Sequence, residues 1–258
     1  MSRILKTDAI ALRIAPVSNT SSVVTWLTPG WGRLSTMIKG GRRPKSRFLG
    51  QYDLFYTCEL LFYGREHREL HIASECCPLK MRPALRTDWR AAAMASYFAD
   101  LAARIGPVHA EHADTWRLLD EALDDLAARG AAAEHTFWLE MKLLESMGLA
   151  PRLQDCLHCG RELEPGRDDT WFSHERGGLI CRTCAGTCPE EPARLAPDIF
   201  AALRGLQRAR HSSGARAVRC QPRQAREIEG LLGRFLSWHF EIPLTGRDIA
   251  FRILRASL

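Results

Sequence analysis

Residues 32–50 read GRLSTMIKGGRRPKSRFLG. In the first half Leu34, Thr36 and Ile38 alternate with Ser35, Met37 and Lys39, the two-residue period of a half-buried strand. The second half sets Lys39, Arg42, Arg43, Lys45 and Arg47 among Gly40, Gly41, Gly50 and Pro44, without an acid, as a turn-rich loop of one charge sign. Working outward, similar strand patterns recur. Ile10, Leu12 and Ile14 share a face, SVVTW at 22–26 is β-branched, LFYTCELLFY at 54–63 is aromatic-rich, and ELHIASEC at 69–76 closes the set. Turn signals separate them: SNTS at 18–21, TPGWG at 28–32, the long basic loop, and GREHR at 64–68. Five short strands in so short a span predict a small barrel. The five-stranded oligonucleotide/oligosaccharide-binding (OB) barrel is the leading candidate and an SH3-like barrel its competitor.

After Met81-Arg82-Pro83 the period becomes helical. Met94, Phe98, Leu101 and Ile105 follow a Thr87-Asp88 cap and stop at Gly106-Pro107; Trp116, Leu119, Leu123 and Leu126 stop at Gly130; Phe137, Met141 and Leu144 stop at Gly148. Ile199, Leu203 and Leu206 start after Pro197-Asp198, and Ile228, Leu231, Phe235 and Trp238 predict a last helix after Pro222. The expected fold class is α+β and multidomain: an N-terminal OB-fold barrel over 1–80, a helical domain in two parts over 81–152 and 190–258, and a cysteine segment over 153–189 inserted between them.

That segment holds Cys156-Leu-His-Cys159, then Cys181-Arg-Thr-Cys184. Two such knuckles let four thiolates converge on one Zn²⁺, a closed shell that stabilises rather than catalyses. TWFSHERGGLI between them predicts a hairpin, and His158, His174 and Cys188 are substitute ligands if a cysteine is not used. With nine cysteines and a cytoplasmic setting expected, a disulfide framework is the weaker reading. The cytoplasmic expectation rests on the lack of any apolar run near the roughly 18 residues a membrane span needs, and of an uninterrupted apolar signal core at the N-terminus.

Charge is unevenly laid out around a net +6. Between Asp8 and Asp53 there is no acid, but there are seven Lys and Arg; residues 199–226 are also acid-free, with seven arginines. Between Val108 and Glu175, fifteen acids outnumber six Lys and Arg. The basic loop cannot be a Walker loop, because Pro44 precedes Lys45 where glycine is needed and Lys39 occupies the earlier glycine position. Gly30-Trp-Gly32 lacks the third glycine of a dinucleotide fingerprint and lies between strands. Lys and Arg on a loop beside a barrel instead suit phosphate backbones, with Trp26, Trp31, Phe48, Tyr52 and Phe55 as bases' stacking partners or as barrel core. No Gly-x-Ser-x-Gly or His-Glu-x-x-His occurs, and the expectation is a binding protein rather than an enzyme.

GRLSTMIKGGRRPKSR at 32–47, the knuckle pair with FSHERGGLICRTC at 172–184, and LGRFLSWHFEIPLTGRDI at 232–249 resemble segments of the RecO family of bacterial recombination mediators. The resemblance implies an OB barrel, a helical domain and a four-cysteine zinc segment. It implies single- and double-stranded DNA as ligands, annealing of complementary strands, and help with RecR in loading recombinase onto DNA coated by single-strand-binding protein, whose acidic C-terminal tail is a further partner. Carried onto this sequence, it makes Lys39, Arg42, Arg43, Lys45 and Arg47 DNA contacts with Arg33 on the adjoining strand, and Cys156, Cys159, Cys181 and Cys184 the ligands of one structural Zn²⁺. Action in DNA damage repair, at the nucleoid, follows from the same resemblance. The alternative is an RNA-binding zinc-ribbon protein of the translation apparatus.

Overall fold

A computed structural model describes residues 3–64, 69–105 and 113–256. The predicted stop at Gly106-Pro107 and most of the GREHR turn lie outside them. The chain forms two compact units, 1–130 and 131–258.

In the first unit, β1 (Arg3–Pro16), β2 (Ser22–Thr28), β3 (Gly32–Ile38), β4 (Thr57–Gly64) and β5 (Leu70–Lys80) close a barrel in the order β1-β2-β3-β5-β4, with β4 returning to β1. All pairings are antiparallel except β3–β5, where Ser35 meets Leu70 and Met37 meets Ile72. Trp26, Leu34, Ile38, Leu60 and Phe62 fill the interior, and Trp26 Nε1–H donates to Thr36 Oγ1 at 2.9 Å, the partner a buried indole needs.

Two sequence expectations change here. Ile10, Leu12 and Ile14 do not share a face: a bulge between Ala11 and Arg13 shifts the register, so Ala9, Ala11 and Ile14 serve the barrel core while Ile10 and Leu12 are buried on the other side of β1. The aromatic run 54–63 does not begin as strand, because Phe55 is left-handed at φ +67°; its N–H donates to Ala11 O, and Ala11 N–H donates to Tyr56 O, before β4 starts at Thr57.

Helices α1 (Ala84–Thr87), α2 (Trp89–Ile105) and α3 (Ala113–Arg129) belong to the same unit. Buried Arg82 joins barrel to helices. Its guanidinium donates to Phe55 O (2.7 Å), Thr57 Oγ1 (2.9 Å), Asp120 Oδ1 (2.6 Å) and Asp124 Oδ1 (2.7 Å). Lys80 Nζ adds bonds to Asp120 and Asp124. Burial opposes the Asp120 charge, but Lys80, Thr57 and Arg82 outweigh it and hold that carboxyl below its ordinary range.

In the second unit, α4 (Ala133–Ser146) is buried nearly all round and packs with α6 (Pro197–Arg208), α7 (Ser212–Ala217) and α8 (Pro222–Phe240). The predicted hairpin forms from β6 (Thr170–Ser173) and β7 (Gly178–Cys181), followed by α5 (Arg182–Ala185); β8 (Ala193–Leu195) adds a third strand. The helix expected to be last is not. Beyond Pro243, α9 (Thr245–Arg255) packs Phe251 on Phe137 with ring centroids 5.5 Å apart. Its Arg247 makes a buried pair with Glu140 (Nε to Oε1, 2.7 Å). Nor does Trp238 belong to the buried stripe of α8. Ile228, Leu231, Leu232, Phe235 and Leu236 form that stripe, while Trp238 is 51% exposed.

Candidate nucleic-acid interface and metal centre

The basic loop is a chain of turns rather than a free arc. Arg43, Ser46, Leu49 and Gln51 each donate their N–H to the carbonyl three residues back, at 3.0–3.1 Å. Three anchors tie these turns to the barrel. Arg42 N–H reaches Thr20 O at 3.0 Å and Gly40 N–H reaches Ser21 Oγ at 3.1 Å, joining the loop to the β1–β2 turn. Phe48 is buried in the barrel core, with Tyr52 packed beside Trp26. The thiols of Cys58 and Cys76 both face Gln51 O at 3.6 Å. Gly41 is required by close approach: a Cβ there would lie 2.6 Å from Ile38 Cγ2 and 3.0 Å from Tyr52 Oη.

On this scaffold Lys39, Arg42, Arg43, Lys45 and Arg47 are all exposed, and among the described residues none makes an ion pair. Arg47 lies over the Phe48 ring at 5.3 Å. The nearest acid along the chain, Asp53, is held by Arg86. Arg33 is placed differently. It sits at the start of β3 and Lys39 just past its end, about 20 Å away at roughly 3.3 Å per residue. Arg33 donates to Ala103 O near the C-terminus of α2, and with Arg13 and Arg104 lines a separate groove of about 470 Å³. Arg13 and Arg104 were missed as a group because only the fold brings them beside Arg33.

Of the five candidate aromatics, Trp26, Phe48 and Phe55 are core. Tyr52 is half-buried, and Trp31 is 39% exposed at the far end of β3 from the basic loop.

In the second unit the four sulfurs of Cys156, Cys159, Cys181 and Cys184 all lie within 4.8 Å of one another, an arrangement that can hold a metal ion. Cys159 and Cys181 sulfurs are 3.9 Å apart. Tetrahedral thiolates about 2.3 Å from a Zn²⁺ would be about 3.8 Å apart, so the set fits that ion. The first knuckle closes through Gly160, left-handed at φ +72°, whose N–H returns to Cys156 O at 2.9 Å. The second is carried by the end of β7 and by α5. Burial opposes ionisation of Cys156, but the amides of Cys159, Cys181 and His158 outweigh it and bring the thiol down to about 6. Cys184 is pushed up to about 12, first by hydrogen bonding with Cys181 and then by burial. A metal ion takes cysteine as thiolate, so its binding would release protons from this cluster. Two of the substitutes are otherwise engaged: His174 sets its ring against Trp238, and Cys188 Sγ donates to Cys184 O at 3.5 Å.

Residues 1–82 match the family described as Recombination protein O N terminal, and residues 86–248 the one described as Recombination protein O C terminal. The chain belongs to the RecO family. Among its relatives, the DNA repair protein RecO of Roseiflexus sp. (strain RS-1) is 34% identical over 91% of this chain and 80% of its own length. The DNA repair protein RecO of Anaeromyxobacter sp. (strain Fw109-5) is 30% identical over 98% of this chain and 95% of its own. That of Caldanaerobacter subterraneus subsp. tengcongensis is 23% identical over 97% and 99%. The basic loop lies in the N-terminal RecO match and the cysteine quartet in the C-terminal one. No helix among the described residues is long and apolar enough to cross a membrane.

Proposed function

We propose that this RecO-family chain is a DNA-binding recombination mediator acting at the nucleoid in the cytoplasm. It would anneal complementary single strands and, with RecR, help load recombinase onto DNA coated by single-strand-binding protein, whose acidic tail it also engages. One observation carries the reading: five exposed, unpaired cations on turns bonded to the barrel at several points. Annealing brings two polyanions together, and a protein that neutralises phosphates on approach lowers that repulsion and releases counterions. Lys39, Arg42, Arg43, Lys45 and Arg47 make the phosphate contacts in this reading, and Arg33 extends them along β3.

The strand order β1-β2-β3-β5-β4, with its parallel β3–β5 pair, supports assigning the barrel to the OB fold. The sulfur spacing supports one structural Zn²⁺ on Cys156, Cys159, Cys181 and Cys184, stapling the 153–189 segment. Nothing in this mechanism requires bond-breaking chemistry. The names of the relatives speak of DNA repair and give no support to a role in translation.

The test is annealing of complementary strands coated with single-strand-binding protein. Acceleration by the full chain is expected; no acceleration, or a clear preference for RNA over DNA of equal length in competition, overturns the reading.

A further inference from the structure

Helix α8 turns one face to the core and another to a groove of about 850 Å³ shared with α9. Along the groove face, Arg226, Gly230, Arg234 and Trp238 recur every four residues, a stripe about 18 Å long at 1.5 Å per residue. Trp238 is half exposed, and the ring set against it, His174, is perpendicular at 6.0 Å, so among the described residues no ring stacks in parallel on the indole. Gly233 keeps the floor low, since a Cβ there would meet Arg247 Nη1 at 2.8 Å.

The charges around the groove divide clearly. Arg255 is engaged by Glu229 and Arg247 by Glu140, whereas Arg226 and Arg234 have no ion pair among the described residues. Among the described residues, the one carboxylate lining the groove without an ion pair is Asp248. Two unpaired guanidiniums one helical turn from glycines, leading to an open indole, match a strand that alternates phosphates with flat bases. An acidic peptide would also find the arginines, but an apolar anchor side chain would have only Trp238 and Leu244 to bury against.

We propose that this face of α8 is a second nucleic-acid site, binding a single strand with one base stacked on Trp238 and its flanking phosphates on Arg226 and Arg234. The inference rests on the DNA-binding reading above and extends it: a protein that pairs two strands has a use for two separate sites. Sequence alone marks only Arg226, the last residue of the second acid-free window; Trp238 looks there like a core residue.

The experiment is photo-crosslinking of the full chain to a single-stranded oligonucleotide carrying 5-iodouracil, with crosslinked peptides identified by mass spectrometry. Crosslinks are expected both in the basic loop and in the peptide holding Trp238. Crosslinks in the loop alone overturn this inference and leave the DNA-binding reading standing; crosslinks in neither overturn both. A second measurement uses the variant Arg42→Ala/Arg43→Ala/Lys45→Ala as background. There, adding Trp238→Ala is expected to weaken residual single-strand binding about tenfold, with the circular dichroism unchanged because the side chain is exposed. Unchanged binding, or protection of Trp238 from quenching by an Asp-rich peptide and not by the oligonucleotide, overturns the proposal.

Discussion

The two acid-free windows carry seven cations each, yet the fold treats them differently. In the first, the five loop cations stay exposed and unpaired. In the second, Arg204 and Arg223 are paired by acids that lie outside the window. Arg204 binds Glu164 at 3.0 Å, and Arg223 takes both Asp198 and, at 2.8 Å, Glu227. A stretch without acids in the sequence is therefore not a stretch without acids in space. What distinguishes a phosphate-binding segment from a structural one is where its counter-charges are used. In the first unit two of the acids, Asp120 and Asp124, are committed to Arg82 and Lys80 at the seam between barrel and helices.

The largest perturbation is removal of the metal. Structural zinc contributes on the order of 10 kcal/mol to small domains, so Cys156→Ser or chelation is expected to unfold the 153–189 segment, seen as new protease cleavage there. Because Glu164 lies in that segment, Arg204 would lose its partner, and the salt dependence of DNA binding should become steeper. Metal analysis finding no zinc in the wild-type protein would contradict the site itself.

Next in size is Arg82→Ala. It strips one partner from a largely buried carboxylate at Asp120, a loss expected to cost about 3 kcal/mol, the lower end for a broken buried pair because Lys80 remains. Urea unfolding checks this. The salt slope of DNA binding at neutral pH should not move, since the acids involved do not serve the loop. The pH sign follows from Asp120, whose folded carboxyl titrates below its unfolded value. Its contribution is complete above about pH 3.9 and is lost as pH falls through the folded value, so the deficit of the variant should shrink in acid. A deficit constant with pH would assign the loss to packing rather than to charge.

How much of this was legible beforehand depends on whether a signal was local. Strands, hairpin and knuckles were readable because alternation and C-x-x-C spacing are local patterns. Ile14 was misplaced because one bulged residue reverses every side chain after it. Helix α9 was missed because its core face is Ala250, Phe251 and a buried Arg247, whose charge hides the pattern until Glu140 is beside it. The loop cations were legible as a cluster; that they are unpaired was not, because the fate of Asp53 depends on Arg86 across the fold.

A smaller effect is expected for the loop triple variant Arg42→Ala/Arg43→Ala/Lys45→Ala, which should leave the urea midpoint unchanged. The slope of log affinity against log salt for single strands should flatten by roughly two units, at about 0.7 per lost phosphate contact. Smallest is the matching change in the other window. Arg223 is a partly exposed side chain already satisfied by two carboxylates, and exposed pairs are worth about 0–1 kcal/mol. Arg223→Ala should thus alter stability by no more than that and leave the salt slope where it was. The two measurements together decide whether counter-charge matters more than composition. A slope that flattens equally for both variants would mean that arginines held in ion pairs exchange their carboxylates for phosphate at little cost. The contrast between the windows would then describe the DNA-free protein alone.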